Sequence, residues 1–384
     1  MSTPRRFIAW HPVLTDHQAY TYQALAKQAA APLTAYVLRM EEEARRAQGW
    51  CDTQVTSIER RLIPASGALR HCYQQLLAHR NDVHFFGSTF ESPILMLCLL
   101  IAACLGIEFY LISEPYSPKS FGYFGDQQQL KAKLKTRLRP MLYWLYAHIL
   151  LSKVAGVFAI SQLALTQYRQ AGIPGTKLFP FGYFIPQTQL PPAPQVSDAL
   201  HVVFIGALIQ RKGLDVLIDA VRQLQHDGHK ITLDIFGPGD ASAFAMERPR
   251  INYRGLIPFG QAQEQLADYD LMVLPSHYDG WGVVVNEALC AGIPVVCSDQ
   301  VGASILASKF NVGKTFVSGD SQALAQVLIE IQGDKTILNA MRRATVAAAA
   351  AIQPEVAAAY MLEVIAAPTP DKAGVPSPWY PLAS

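Results

Sequence analysis

Short apolar runs alternate with longer amphipathic ones along the whole chain, and the two periods separate strands from helices. Runs of strand length fall at Phe7–Trp10, Thr34–Leu38, Val83–Phe86, Ile107–Ile112 and Val157–Ile160 in the first half. In the second half they fall at His201–Ile205, Ile231–Phe236, Leu271–Leu274 and Pro294–Cys297, with a further strand expected at Asn252–Gly255. Near-continuous apolar strands separated by helix-length segments predict parallel sheets covered on both faces. The clearest helix carries Leu214, Leu217, Ile218, Val221 and Leu224 on one stripe, with Arg222, Gln223 and Gln225 outside it, so a sheet is its expected neighbour. From Pro93 to Ile112 the chain is apolar except at Gly106 and Glu108, a length that fits a bilayer. Gly106 divides it, however, which predicts a buried helix over Pro93–Leu105, a glycine cap and a buried strand.

Pro186, Pro191, Pro192 and Pro194 lie among polar residues in Ile185–Ser197 and break any helix or ladder there. Four segments follow: an N-terminal domain over 1–184, a linker over 185–197, a second domain over 198–350, and a C-terminal helix and tail over 351–384. Ala347–Ala351 continues a helical pattern. The proline-rich tail, with Trp379 and Tyr380 near its end, is expected to lie across the N-terminal domain with those rings as anchors.

The chain has 384 residues, more than twice the roughly 150 expected of one domain. Lys and Arg total 32 against 30 Asp and Glu, which leaves no global field for holding nucleic acid. The six cysteines, at 51, 72, 98, 104, 290 and 297, form no CxxC pair. They are therefore expected as reduced thiols of a cytoplasmic protein rather than as zinc ligands or disulfides. Met1–Arg6 leads into an apolar stretch too short for a signal peptide.

The densest chemistry lies in Ser276–Val296. It follows an apolar run, carries Gly280 and Gly282, and then takes on helical character. Backbone N–H groups at a helix start on a sheet's C-terminal edge form an anion site. Asp279 is expected on the loop and Glu287 two turns into the helix, both turned into one cleft, where carboxylates beside a phosphate suit acceptance of sugar hydroxyls. A helix cap or a solvated face accounts for either acid alone.

Asp279, Gly280, Trp281, Gly282, Glu287, Ala288 and Gly292–Val296 stand in the order acid, Gly-aromatic-Gly, Glu, Ala, Gly-x-Pro-Val-Val. This resembles the signature of the retaining glycosyltransferases of family 4, with Asp279 where Glu is usual. Val203–Gly206 followed by Arg211–Ile218 is similar to the family's strand, phosphate loop and helix, with Ala207 where an Arg is common. Val157–Ser161, Ala171–Pro174 and Lys177–Tyr183 resemble its passage from first domain to linker. The match covers residues 155–335 well. Upstream, His11–His17 replaces a Gly-Gly loop, and Ser113-Glu114 stands where members often have a sugar-contacting His.

The resemblance implies an α/β GT-B fold, two Rossmann-like domains facing across a cleft. It also implies transfer from a nucleotide sugar to a glycan or lipid-linked acceptor, in cell-surface polysaccharide or glycoconjugate synthesis, with retention and without metal or other cofactor. Lys212, Arg211 and backbone N–H groups over Trp281, Gly282, Val283 and Val284, with Gly206, would then meet the diphosphate. Glu287 would accept from the ribose, Asp279 from donor hydroxyls, and backbone at Leu256 and Ile257 would hold the base. Glu114 either orients the acceptor hydroxyl, stabilises anomeric charge, or is a loop carboxylate paired with a base. His11, His17 and His84 read as structural. A protein that binds a nucleotide sugar without transfer, and an epimerase, remain alternative functions.

Lys131, Lys133, Lys135, Arg137 and Arg139 precede Met141–Tyr146. If helical, this segment is suited to an anionic membrane surface on the cytosolic face, with Trp144 and Tyr146 at headgroup depth. Alternatively Leu134, Leu138, Leu142 and Leu145 face the core while the bases are solvated.

Overall fold

In the computed structural model, residues 5–41, 55–87, 92–117, 129–149, 153–188, 198–244, 250–257 and 261–379 are described. Cys51, Tyr380 and the prolines at 191, 192 and 194 lie outside them. So do the side chains of Lys131, Lys133 and Lys135.

The chain divides into two compact units. The first takes the chain up to Tyr116, then Gln129–Phe184, then Pro354 onward; the second is built on Ile185–Gln353. The first holds a seven-stranded parallel sheet in the order β3-β2-β1-β4-β5-β6-β7. These strands are β1 (Phe7–His11), β2 (Leu33–Val37), β3 (Glu59–Leu62), β4 (Val83–Gly87), β5 (Phe109–Ser113), β6 (Gly156–Ile160) and β7 (Leu178–Phe181). Every residue of β1, β2, β4 and β6 is buried, which is why those strands read as unbroken apolar runs.

The edge strands do not read that way. β3, Glu-Arg-Arg-Leu, has no fully buried residue, and β7 contains Pro180, which a sheet edge tolerates because no ladder bond is lost on the open side. The helix Pro93–Cys104 ends before Gly106, whose φ is 67°. It buries Leu95, Cys98 and Leu99 but leaves Leu97 and Leu100 exposed, so one face is covered and the helix is not buried all round. The strand after it starts at Phe109, two residues later than its apolar run.

The helix Gln129–Ile149 corrects the core-facing reading of its leucines and the placing of Tyr146 at headgroup depth. Leu134, Leu138, Leu142 and Leu145 are 61%, 40%, 45% and 43% exposed, so they do not face the core. Met141, Trp144 and Ile149 are exposed with them, whereas Tyr143 and Tyr146 are buried. Tyr146 therefore anchors the helix to its own unit instead of reaching a headgroup layer. Among the described residues no single helix is long and apolar enough to cross a membrane.

The segment after Gln353 completes the first unit. The helix Pro354–Ala366 packs along the helix Asp16–Gln28, where the Gln28 amide donates to the Glu355 carbonyl at 2.8 Å. Trp379 is buried with its ring 4.8 Å from that of Phe184. Lys372 is buried too, donating to the Tyr110 hydroxyl at 2.6 Å.

The second unit has a six-stranded parallel sheet in the order β10-β9-β8-β11-β12-β13. Its strands are β8 (Leu200–Ile205), β9 (Ile231–Phe236), β10 (Ile251–Gly255), β11 (Leu271–Leu274), β12 (Val295–Ser298) and β13 (Gly313–Phe316). The helix Leu214–His226 buries Leu214, Leu217, Ile218, Val221 and Leu224, the stripe visible in sequence. Strand order reverses between β8 and β11. In open parallel sheets such a switch point splays the loops at the carboxyl ends of the two strands apart and opens a crevice for ligands.

Candidate active site

The loops after β8 and β11 carry most of the residues singled out in sequence, and they are laced together. Gly206 closes β8, its N–H donating to the Phe236 carbonyl at 3.0 Å. The chain then turns through Gln210–Lys212 to Gly213, which precedes the helix Leu214–His226 with φ 64°. A Cβ on Gly213 would stand 2.3 Å from the Pro275 carbonyl oxygen, so only glycine lets the two loops meet this closely. Beside it, the His277 N–H donates to the Arg211 carbonyl at 2.8 Å, and the Arg211 guanidinium donates to the Tyr278 carbonyl at 2.9 Å.

Asp279 lies at the centre of this lacing. Its backbone is fixed on both sides: its N–H donates to the Gln300 carbonyl and its own carbonyl accepts from Gly302, both at 3.0 Å. Its carboxylate receives Lys212 Nζ at 2.5 Å on Oδ2 and stands 3.6 Å from Arg211 Nη1 on Oδ1. Burial pushes the Asp279 carboxyl upward, but Lys212 and Arg211 together outweigh it and hold the group below its ordinary range.

Glu287 is the contrasting acid. The helix here is Val284–Cys290, with Val283 at its N-cap, so Glu287 stands in its first turn rather than two turns in. Asp279 does not cap this helix. The Glu287 side chain is partly buried, and no donor or cation is paired with its carboxylate among the described residues. Burial alone raises it to about 7. An acid left half-protonated near neutrality, with no partner, is poised to take a ligand's donors.

Around these acids the backbone is open. Gly282 has φ 91°, and a Cβ there would stand 2.8 Å from the Leu274 side chain. The N–H groups of Gly282, Val283 and Val284 have no acceptor among the described residues. At seven residues the helix behind them is short, so these N–H groups themselves, more than a macrodipole, carry the positive potential. Gly280 is buried between Asp279 and Trp281. Trp281 offers only its backbone: its ring is buried and its indole N–H donates to Asn286 Oδ1 at 2.7 Å. Leu256 and Ile257 follow β10 at the same carboxyl edge of the sheet, Leu256 exposed and Ile257 partly so.

In the first unit, Glu114 follows β5 and accepts a short hydrogen bond from the Tyr183 hydroxyl. The main chain beside it is braced by Gln167, which binds both the N–H and the carbonyl of Tyr116. The histidines there are embedded in the unit. His84 accepts from the Trp10 indole at 3.0 Å and approaches the His79 carbonyl at 2.9 Å, while burial lowers both His84 and His11 to about 4. His17 is buried near the Tyr183 ring. Sequence reasoning missed Tyr183, His277 and Asn286, because each acts through a partner distant in the chain or one helical turn away. Among the described residues no group of three or more His, Cys, Asp or Glu is arranged to hold a metal ion.

Residues 199–334, which hold the loops after β8 and β11 with Arg211, Lys212, Asp279 and Glu287, match the family model described as glycosyl transferases group 1. The family is thus matched over this segment of the chain. The chain is similar to part of the amylovoran biosynthesis glycosyltransferase AmsK of Erwinia amylovora, 29% identical over 162 residues, 38% of this chain and 40% of that one. It is similar also to the phosphatidyl-myo-inositol mannosyltransferase of Mycobacterium leprae, 28% identical over 189 residues, 47% and 50% of the two chains. The chain thus spans half or less of the length of these curated relatives. Across both units its fold is that of Anabaena HepE in complex with UDP, with a TM-score of 0.65 at 16% identity, covering 94% of this chain and 99% of that one. The two units together have the GT-B fold.

Proposed function

We propose that the protein is a retaining glycosyltransferase that moves a sugar from a nucleotide-sugar donor to a hydroxyl of a glycan or lipid-linked acceptor, in polysaccharide or glycoconjugate synthesis. The observation that carries this reading is the pairing of opposites on one loop and helix. Unsatisfied N–H groups at Gly282–Val284 stand three to five residues from an unpartnered carboxylate at Glu287, beside the cations Arg211 and Lys212. A nucleoside diphosphate presents the complementary set, anionic phosphates and a ribose diol. As the glycosidic bond breaks, negative charge grows on the departing diphosphate, and preorganised donors aimed at it lower the barrier. Arg211 and Lys212 offset that charge without a metal ion. Glu287 accepts from the ribose, backbone at Gly206 approaches the phosphates, and backbone at Leu256 and Ile257 holds the base. Glu114, braced by Tyr183, serves the acceptor hydroxyl. The HepE complex with UDP and the polysaccharide named for AmsK support the donor and product classes.

The exposed face of the helix Gln129–Ile149 favours an acceptor held at a membrane. Leu134, Leu138, Met141, Leu142, Trp144, Leu145 and Ile149 share it with exposed Arg137, a combination suited to an anionic lipid surface on the cytosolic side.

The test is a thermal-shift screen with UDP-, GDP-, dTDP- and ADP-sugars, since a ligand of the native state raises apparent stability by mass action. The donor found is then assayed for transfer with Glu287→Ala and Lys212→Ala. Both variants should keep the fold and lose turnover; full turnover in either, or donor binding without transfer across a broad acceptor panel, counts against the assignment.

A further inference from the structure

The geometry points to Asp279 as a positioning residue that holds Lys212 for the donor diphosphate, rather than as a ligand of the donor sugar's hydroxyls. The inference rests on the diphosphate role proposed above for Lys212. Three observations carry it. The Asp279 carboxylate is occupied on both oxygens, by Lys212 Nζ at 2.5 Å and by Arg211 at 3.6 Å, with the Ser276 hydroxyl a further 3.5 Å from Oδ2. All three charged side chains are only 11–14% exposed, so the pair is screened little by salt. Finally, the side chain is one methylene shorter than glutamate, while its backbone is tied down on both sides by Gln300 and Gly302. A short arm on a fixed base reaches the cations of the neighbouring loop and little else.

Such a carboxylate has two consequences for the bound diphosphate. It sets where the Lys212 ammonium stands, so the cation is in place before the leaving group's charge develops. It also competes with that diphosphate for the same cation. The cluster of Arg211, Lys212 and Asp279 carries a net charge of about +1 rather than +2 while the carboxylate is ionised, which moderates the grip on the product as well as on the donor.

The experiment measures binding of both the bare nucleoside diphosphate and the sugar nucleotide by calorimetry, on wild type, Asp279→Asn and Asp279→Glu. UDP, GDP, dTDP and ADP are tried first on wild type; if none binds, the proposed function fails and not merely this role. With a binding nucleotide in hand, Asp279→Asn removes the competitor. The bare diphosphate and the sugar nucleotide should then both bind about ten-fold more tightly, by the same factor, while kcat falls because Lys212 is no longer held. Asp279→Glu restores the charge, and both affinities should return to within about two-fold of wild type. The role is overturned if Asp279→Asn leaves the bare diphosphate within two-fold of wild type, or weakens it. Should Asp279→Asn not fold, Asp279→Glu decides alone: a selective change in sugar-nucleotide affinity, with the bare diphosphate untouched, makes Asp279 a sugar ligand.

Discussion

Replacing Glu287 by Gln tests the energetics of the site without any ligand. In the folded protein burial raises this carboxyl from its ordinary 4.5 to about 7. Below pH 4.5 the group is protonated in both folded and unfolded chains, so it contributes nothing to the difference. Between 4.5 and 7 the unfolded chain ionises while the folded one resists, and wild type loses stability as the pH rises; above 7 the loss is complete. At 1.36 kcal/mol per pKa unit the full loss is about 3 kcal/mol, a ceiling because the side chain is only partly buried. Glutamine has the same shape and no charge. Ligand-free Glu287→Gln should therefore match wild type at pH 4 and melt higher at pH 8, by about 5 °C or more for a unit of this size. Thermal unfolding followed by circular dichroism at both pH values measures it. Equal melting temperatures at pH 8, or a variant that melts lower there, would refute the argument that desolvation governs this acid. The same substitution should weaken donor binding, since an amide accepts less strongly from the ribose than a carboxylate does.

Three other outcomes are expected. Gly213→Ala puts a methyl group against the Pro275 carbonyl in a left-handed backbone conformation and should cost about 1–3 kcal/mol in denaturant unfolding, with loss of donor binding as the two loops part; an unchanged midpoint would mean that the loops do not meet as described. Arg342→Ala removes the partner of Asp270, a carboxylate only 4% exposed that accepts from Arg342 at 2.6 Å. It should destabilise by about 3–5 kcal/mol, and Asp270→Asn added to it should recover part of the loss, a recovery checked by urea titration. Leu138→Glu with Met141→Glu should abolish co-sedimentation with vesicles containing anionic lipid while leaving transfer to a soluble acceptor intact; retained sedimentation excludes the Gln129–Ile149 face as the contact.

The central strands were legible because they are buried on both faces and so read as continuous apolar runs. β3 and β13 were not, because an edge strand meets solvent on one side and carries residues such as Glu59, Arg60 and Lys314, and β7, though apolar, is interrupted by Pro180. Asp279 and Glu287 stood out from their spacing and Lys212 through the family resemblance, but the states of these side chains were not visible. Spacing does not say that Asp279 is claimed by Lys212 while Glu287 is left alone, since that depends on how two loops from β8 and β11 interlock. The helix Gln129–Ile149 shows the same limit for packing. Leucines at 134, 138 and 142 define a stripe, but periodicity does not reveal whether a stripe faces protein or solvent; here Tyr143 and Tyr146 turn inward instead.

The first unit is closed by residues that come last in the chain: Tyr360 against Phe158 and Phe181, Lys372 at Tyr110, Trp379 at Phe184. During synthesis most residues of that unit emerge before those of the second, yet their core lacks these pieces until the whole intervening unit has been made. At about 5–20 residues per second, the roughly 170 residues of Ile185–Gln353 impose a wait on the order of 10–30 s. Through that interval the apolar side chains that will meet Trp379 and Tyr360 are uncovered, and the unit that begins first is the one that finishes last.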